Sequence, residues 1–139
     1  MAQVVRDLMT ASPVTMSAAA TAADAARAMR DANIGDVILL EDRRIRGIVT
    51  DRDIVVRAIA DGRDPAKTSL ADVCSSDVTT VSPDTDVGEA IRLMREHALR
   101  RLPVIEDGRP IGIVSLGDLA VERDPDSALG EISAAPPNR

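Results

Sequence analysis

Residues 47–53 read GIVTDRD and residues 112–118 read GIVSLGD. Each spells glycine, two β-branched apolar residues, a hydroxyl residue and, three positions later, an aspartate. The spacing, 112 − 47 = 65, reaches well beyond the motif. Slid by 65, the chain aligns on itself without a gap from Asp7 to Asp53. VTMSAAATAADAARAMRD (14–31) falls on TTVSPDTDVGEAIRLMRE (79–96), and VILLEDRRIRGIVT (37–50) on LPVIEDGRPIGIVS (102–115). Of these 47 positions 14 are identical, among them Asp7/Asp72, Met29/Met94, Gly47/Gly112 and Asp53/Asp118. A gapless repeat of this kind marks a duplicated supersecondary unit.

Both copies predict the same elements. An extended segment comes first, around Val14–Met16 and Thr79–Val81. A helix follows: Val87, Ala90, Ile91 and Met94 fall on one apolar face, as do Ala22, Ala25, Ala26 and Met29 with smaller side chains. Two short strands come next, Val37–Leu40 with Ile48–Val49, and Leu102–Ile105 with Ile111–Val114. A second helix starts after the hydroxyl residue. It runs from Arg52 to about Ala60 with Gly62 as C-cap, and in the second copy from near Leu116 to before Asp124-Pro125. The fold class is therefore α+β, β-α-β-β-α twice. Residues 3–62 form the first repeat, 63–69 a linker, 70–124 the second repeat and 125–139 a largely disordered tail. The segments VVRDLM (4–9) and LADVC (70–74) lead into the copies. One such unit struggles to bury its own apolar face; two together can.

Composition narrows the function. The 139 residues hold no Phe, Tyr or Trp, so the core is aliphatic and base stacking on aromatic rings is excluded. A net charge of -6 disfavours nucleic acid as a partner. Cys74 stands alone, so no internal disulfide forms and a reducing cytoplasm is the expected compartment. Arg6 and Asp7 sit where a signal peptide needs an apolar run. The longest apolar run, Val37 to Leu40, is far too short for a membrane span.

The tandem β-α-β-β-α unit, opening with VRDLMT and closing with Gly-h-h-[Ser/Thr]-x-x-Asp (h apolar), resembles a pair of cystathionine β-synthase (CBS) domains, a Bateman module. The resemblance covers about residues 3–123. TDRDI and RRLPVIEDG are similar to the small stand-alone bacterial CBS-pair proteins. It implies repeats packed about a pseudo-twofold axis, leaving two related clefts that take AMP, ADP, ATP, NAD or S-adenosylmethionine. It also implies flat homodimers and a module that senses ligand without catalysing. With no catalytic, channel or DNA-binding domain attached, output is expected to pass through an unknown protein partner.

The candidate binding residues follow from both lines. The helix starts after Thr50 and Ser115 present free N–H groups and a positive dipole end, suited to phosphate, and their hydroxyls add a donor. Asp53 and Asp118, one turn in, suit the paired hydroxyls of a ribose; the resemblance assigns the same roles. Equally, [Ser/Thr]-x-x-Asp is a capping box that needs no ligand. Gly47 and Gly112 admit a ligand or a neighbouring strand closely. Arg52 can pair with a phosphate or serve as a solvated first-turn charge; its counterpart is Gly117. Arg100 and Arg101 stand where the family often places His-Arg, and match Gly35 and Asp36 in the first copy. The two clefts are thus expected to be unequal. Asp51-Arg52 against Leu116-Gly117 favours the first for a phosphate tail, unless Arg100 and Arg101 reverse that order. Backbone at Val14, Thr15 and Met16 and at Thr79, Thr80 and Val81 would meet adenine, with Ile34, Leu99 and Pro103 as apolar walls. His97 lacks metal-ligand spacing and Cys74 lacks a catalytic base; Met9, its apolar counterpart, argues for a packed thiol. No catalytic residue, cofactor or metal is expected beyond the bound nucleotide. The competing reading is a protein-interaction or structural CBS dimer with vestigial clefts.

Overall fold

The computed structural model describes residues 3–123 and 128–135. In chain order the elements are β1 (Thr10–Ala11), β2 (Thr15–Ser17), α1 (Ala22–Ala32), β3 (Asp36–Glu41), β4 (Arg44–Thr50) and α2 (Asp51–Ile54), which runs on as a π turn (Val55–Ile59). Then come α3 (Val87–His97), β5 (Arg101–Glu106), β6 (Arg109–Ser115), α4 (Leu116–Arg123) and α5 (Ala128–Ala134). Single 3-10 turns, Val5–Asp7 and Leu70–Asp72, precede each repeat. The chain is α+β, with two three-stranded sheets ordered β2-β3-β4 and β1-β6-β5.

Each sheet contains the predicted hairpin. β3 and β4 pair antiparallel from Asp36↔Thr50 to Glu41↔Arg44, and β5 and β6 from Arg101↔Ser115 to Glu106↔Arg109. Each register shifts once, after Leu39 and after Val104. The two sheets look different only because equivalent pairings differ in extent. β2 runs parallel to β3, and its counterpart is the bridge Val81↔Val104. β1 runs antiparallel to β6, and its counterpart is the bridge Ile48↔Ser75.

The chain forms two compact units, residues 13–78 and residues up to Ser12 together with those from Thr79 on. These do not follow the repeat boundaries: each lead-in segment completes the unit of the other copy. Leu70 N–H donates to Ala20 C=O at 2.8 Å and Ala71 N–H to Ala18 C=O at 3.1 Å. Val5 N–H donates to Thr85 C=O and Arg6 N–H to Pro83 C=O, both at 2.9 Å, in the equivalent places. Leu70 and Val5 are fully buried. The physical reason is a missing edge partner: Ile48 and Ile113 each bond outward to the lead-in strand of the other copy. The stretch 63–69 is likewise no loose tether. Thr68, 3% exposed, donates to Asp64 C=O at 2.8 Å and accepts the Ala22 N–H at 2.9 Å through its own carbonyl.

Each unit has an aliphatic core. In residues 13–78 it comprises Ala22, Ala25, Met29, Val37, Leu39, Val49, Ile54, Ala58, Leu70 and Val73. In the other unit Val5, Val81, Val87, Ala90, Met94, Leu102, Val104, Val114 and Leu119 take these places. Ala26, expected on the buried face, is exposed, and its counterpart Ile91 is half-buried. That helical position lies at a groove rim, described below. The expected disorder of 125–139 is corrected in part. Residues 128–134 form α5, which packs on α4; Ala, Leu and Glu are good helix formers. Positions 125–127 and 136–139 lie outside the described residues. Among the described residues no helix is long and apolar enough to cross a membrane.

Candidate functional site

Both hydroxyl–aspartate motifs stand where a strand turns into a helix. Thr50 ends β4 and caps α2; Ser115 ends β6 just ahead of α4. The Asp53 N–H donates to Thr50 Oγ1 at 3.1 Å and the Thr50 N–H to Asp53 Oδ2 at 2.9 Å. In the second copy the distances are the same: Asp118 N–H to Ser115 Oγ at 3.1 Å, Ser115 N–H to Asp118 Oδ2 at 2.9 Å. Both motifs are thus closed capping boxes, each oriented by an anchor of its helix start. Asp51 N–H donates to Gly35 C=O at 3.0 Å, and Leu116 N–H to Arg100 C=O at 2.8 Å.

The carboxylates differ in what surrounds them. Asp53, with 17% of its side chain exposed, faces Arg57 Nε through Oδ1 at 4.0 Å. Arg57 also donates to the carbonyls of Val73 and Cys74 at 3.3 and 3.1 Å. At the position equivalent to Arg57 the second copy carries Glu122.

Strand register places Arg101 and Asp36 relative to the two hydroxyl residues. Arg101 is paired directly with Ser115, and Asp36 directly with Thr50. Directly opposed residues of an antiparallel pair share one face of the sheet. Arg101 therefore shares a face with Ser115, and Arg100 adjoins the same helix start through its main chain, its C=O accepting the Leu116 N–H. The Thr50–Asp53 start has Asp36 and Asp51 beside it, with Arg52 exposed in the first turn. The two helix starts therefore carry different charges, Asp36, Asp51, Arg52 and Arg57 at the first and Arg101 and Glu122 at the second.

The adenine-edge candidates occupy equivalent strand positions. Val81 spends both main-chain groups on pairing, its N–H on Pro103 C=O at 3.0 Å and its C=O on Ile105 N–H at 2.8 Å. Because peptide groups alternate along a strand, the main-chain groups of Thr80, and of Thr15 in edge strand β2, point away from the partner strand. Both threonines are exposed; Val14, Met16 and Thr79 are half-buried. Pro103 is fully buried.

Ile34 and Leu99 have a structural task. Their N–H groups donate to Met29 C=O and Met94 C=O at 3.0 and 2.9 Å, the wrapping bonds of a helix C-cap around left-handed Asn33 and Ala98. An apolar residue at that point packs back on its helix. Each also lines a groove between the helices of its own unit. One, about 290 Å³, lies among Ala26, Met29, Ile34, Ile54 and Val55; the other, about 330 Å³, among Ile91, Met94, Leu99, Leu116 and Leu119. Their linings correspond at the same offset of 65.

Gly47 and Gly112 admit the lead-in strands. A Cβ on Gly47 would lie 2.7 Å from Ser75 O and 2.9 Å from Cys74 Sγ; one on Gly112 would lie 2.6 Å from Met9 Sδ and 2.9 Å from Thr10 O. Cys74 is a half-buried free thiol covering Gly47, the counterpart of Met9. His97 ends α3, exposed.

This duplicated architecture has known relatives. The CBS domain family model matches twice, over residues 5–59 and 70–123. The chain belongs to the CBS domain family. As a tandem CBS pair it is 36% identical over 126 residues to the CBS domain-containing protein YhcV of Bacillus subtilis, covering 91% of this chain and 89% of that protein. It superposes with a TM-score of 0.80 and 28% identity on a putative signal-transduction protein with CBS domains from Burkholderia ambifaria, covering 91% and 96% of the two chains. A hexameric CBS-CP12 protein from bloom-forming cyanobacteria matches with a TM-score of 0.79 and 30% identity, over 90% of this CBS pair and 74% of that chain.

Proposed function

We propose that the chain is a regulatory ligand-sensing module that takes an adenosine-containing nucleotide at its two strand-to-helix turns and signals to a partner by changing conformation. The observation that carries this reading is the pairing of Arg101 with Ser115 beside Asp118. It brings a cation, a hydroxyl and a carboxylate to one end of the β5–β6 hairpin, groups that suit a phosphorylated ribose. Each aspartate keeps Oδ1 outside its capping box, so a ribose hydroxyl can bond there without undoing the cap. The module binds and signals rather than catalyses. The site is unequal across the repeats, with the Ser115–Asp118 turn as the stronger phosphate holder.

A dye-reported melting screen against AMP, ADP, ATP, NAD and S-adenosylmethionine tests this, since the chain has no Trp or Tyr for intrinsic fluorescence. A ligand at about a hundredfold its Kd adds about 2.7 kcal/mol, a rise of roughly 6–12 °C for a chain of this size. Arg101→Ala and Asp118→Asn are expected to remove most of that increment, and Arg52→Ala little of it. The increment is compared within each variant, so loss of the cap itself does not confuse the result. No increment from any of the five ligands would sink the reading and favour an interaction module.

The homodimer expectation comes from the family resemblance, and exposed apolar side chains beside the helix grooves support it. Val55, Val56 and Ile59 are 57%, 45% and 52% exposed in one unit and Leu116 41% in the other, apolar surface that a second copy would cover. Light scattering is expected to give twice the chain mass, about 29 kDa from 2 × 14.7; a monomer mass at micromolar concentration contradicts it.

A further inference from the structure

We propose that residues 3–12 are an exchangeable strap: the β6 edge of one copy of this chain accepts the strap of a second copy. The two units are built differently in one respect. The first is a single stretch, residues 13–78, whereas the second needs a segment from the far end of the chain to close its sheet. That segment is held entirely by groups a second copy would present in the same way. Thr10 and Ala11 pair with Ile113 and Gly112, Val4 bridges Asp86, and Gln3 C=O accepts the Val87 N–H at 3.0 Å. Val5 is buried in the core, and Arg6 faces Asp84 at 3.3 Å and Glu106 at 3.5 Å.

The strap leaves this seat through Ser12-Pro13, and Ser12 sits at φ 56, in the left-handed region that a residue with a Cβ enters at a cost. Its N–H still bonds to Ile111 C=O at 3.1 Å. Exchange reproduces every strap contact, so the balance between the closed and exchanged forms falls to the hinge and to concentration. In the exchanged form the chain passes from one copy to the next and Ser12 is released from that turn.

The test mixes two full-length variants, Thr10→Cys and Ile113→Cys, each carrying Cys74→Ser. Positions 10 and 113 are Cα partners across the β1–β6 pair, within disulfide reach. The mixture is warmed near its melting point at millimolar concentration, cooled and mildly oxidised. A disulfide-linked heterodimer is expected at several-fold the yield of a control that pairs Thr10→Cys with Asp107→Cys, an exposed turn position. Ser12→Gly, which relieves the turn in the closed form, is expected to lower the yield about fivefold. A yield no higher than the control, or one indifferent to Ser12→Gly, overturns the proposal. The outcome does not depend on nucleotide binding.

Discussion

Leu70→Ala is expected to destabilise the first repeat, not the second to which its sequence position assigns it, by about 2–5 kcal/mol. Leu70 is fully exposed to no solvent: its relative accessibility is 0%, and it packs among Ala22, Ala25, Met29, Val37 and Leu39. With no aromatic ring in the chain to relax into the space, the vacated volume stays a cavity lined by short aliphatic side chains. Native-state amide exchange locates the damage. Protection is expected to fall across α1, β3 and β4, and to hold across α3, β5 and β6. The equivalent variant Val5→Ala is expected to show the opposite distribution with a smaller loss, because fewer methyl groups are removed. Loss of protection confined to α3 through β6 in Leu70→Ala would contradict the exchanged lead-in segments.

The sequence alone leaves open which unit each lead-in segment joins. The offset of 65 makes Val5 and Leu70 equivalent, and both fall in short apolar lead-in segments. Neither says which sheet receives them, because a short apolar lead-in suits either copy equally. The choice depends on which strand edge is open, a property of the assembled hairpin. The same limit governs Arg101. Its residue type suggested an anion partner, but only the register Arg101↔Ser115 says which hydroxyl it stands beside.

Local features were more legible. Both capping boxes, both hairpins and both amphipathic helices follow from spacing alone. The π turn at Val55–Ile59 was not anticipated. It falls on VVRAI, where consecutive β-branched residues weaken regular helix, but nothing in a residue pattern separates a π turn from an α turn. α5 falls in the stretch expected to be a disordered tail, because a chain terminus that nothing ties down is usually poorly ordered.

The duplicated glycines carry the second large effect, and the two copies are expected to respond unequally. Gly47→Ala sets its new Cβ against Ser75 O at 2.7 Å, a main-chain atom. That carbonyl accepts the Ile48 N–H at 3.1 Å, while the Ser75 N–H donates back to Ile48 C=O at 3.0 Å. The strand cannot retreat without losing both bonds, and Cys74 Sγ at 2.9 Å blocks sideways movement. A cost of about 2–3 kcal/mol is expected, a fall of roughly 6–12 °C in Tm. Cys74→Ala does not rescue it, since the carbonyl remains. Gly112→Ala first meets Met9 Sδ, the far end of a flexible side chain, and only then Thr10 O at 2.9 Å. Its cost is expected to be nearer 1–2 kcal/mol, by the same overpacking argument at roughly the lower end of that range. Met9→Ala should be partly compensatory there, giving a favourable coupling in a double-mutant cycle. Thermal melts of the four single and two double variants decide the matter. A Gly47→Ala protein melting within about 2 °C of the parent, which is less than 1 kcal/mol, would show that the lead-in strand is free to move away, and that the close approach is not what glycine serves at this position.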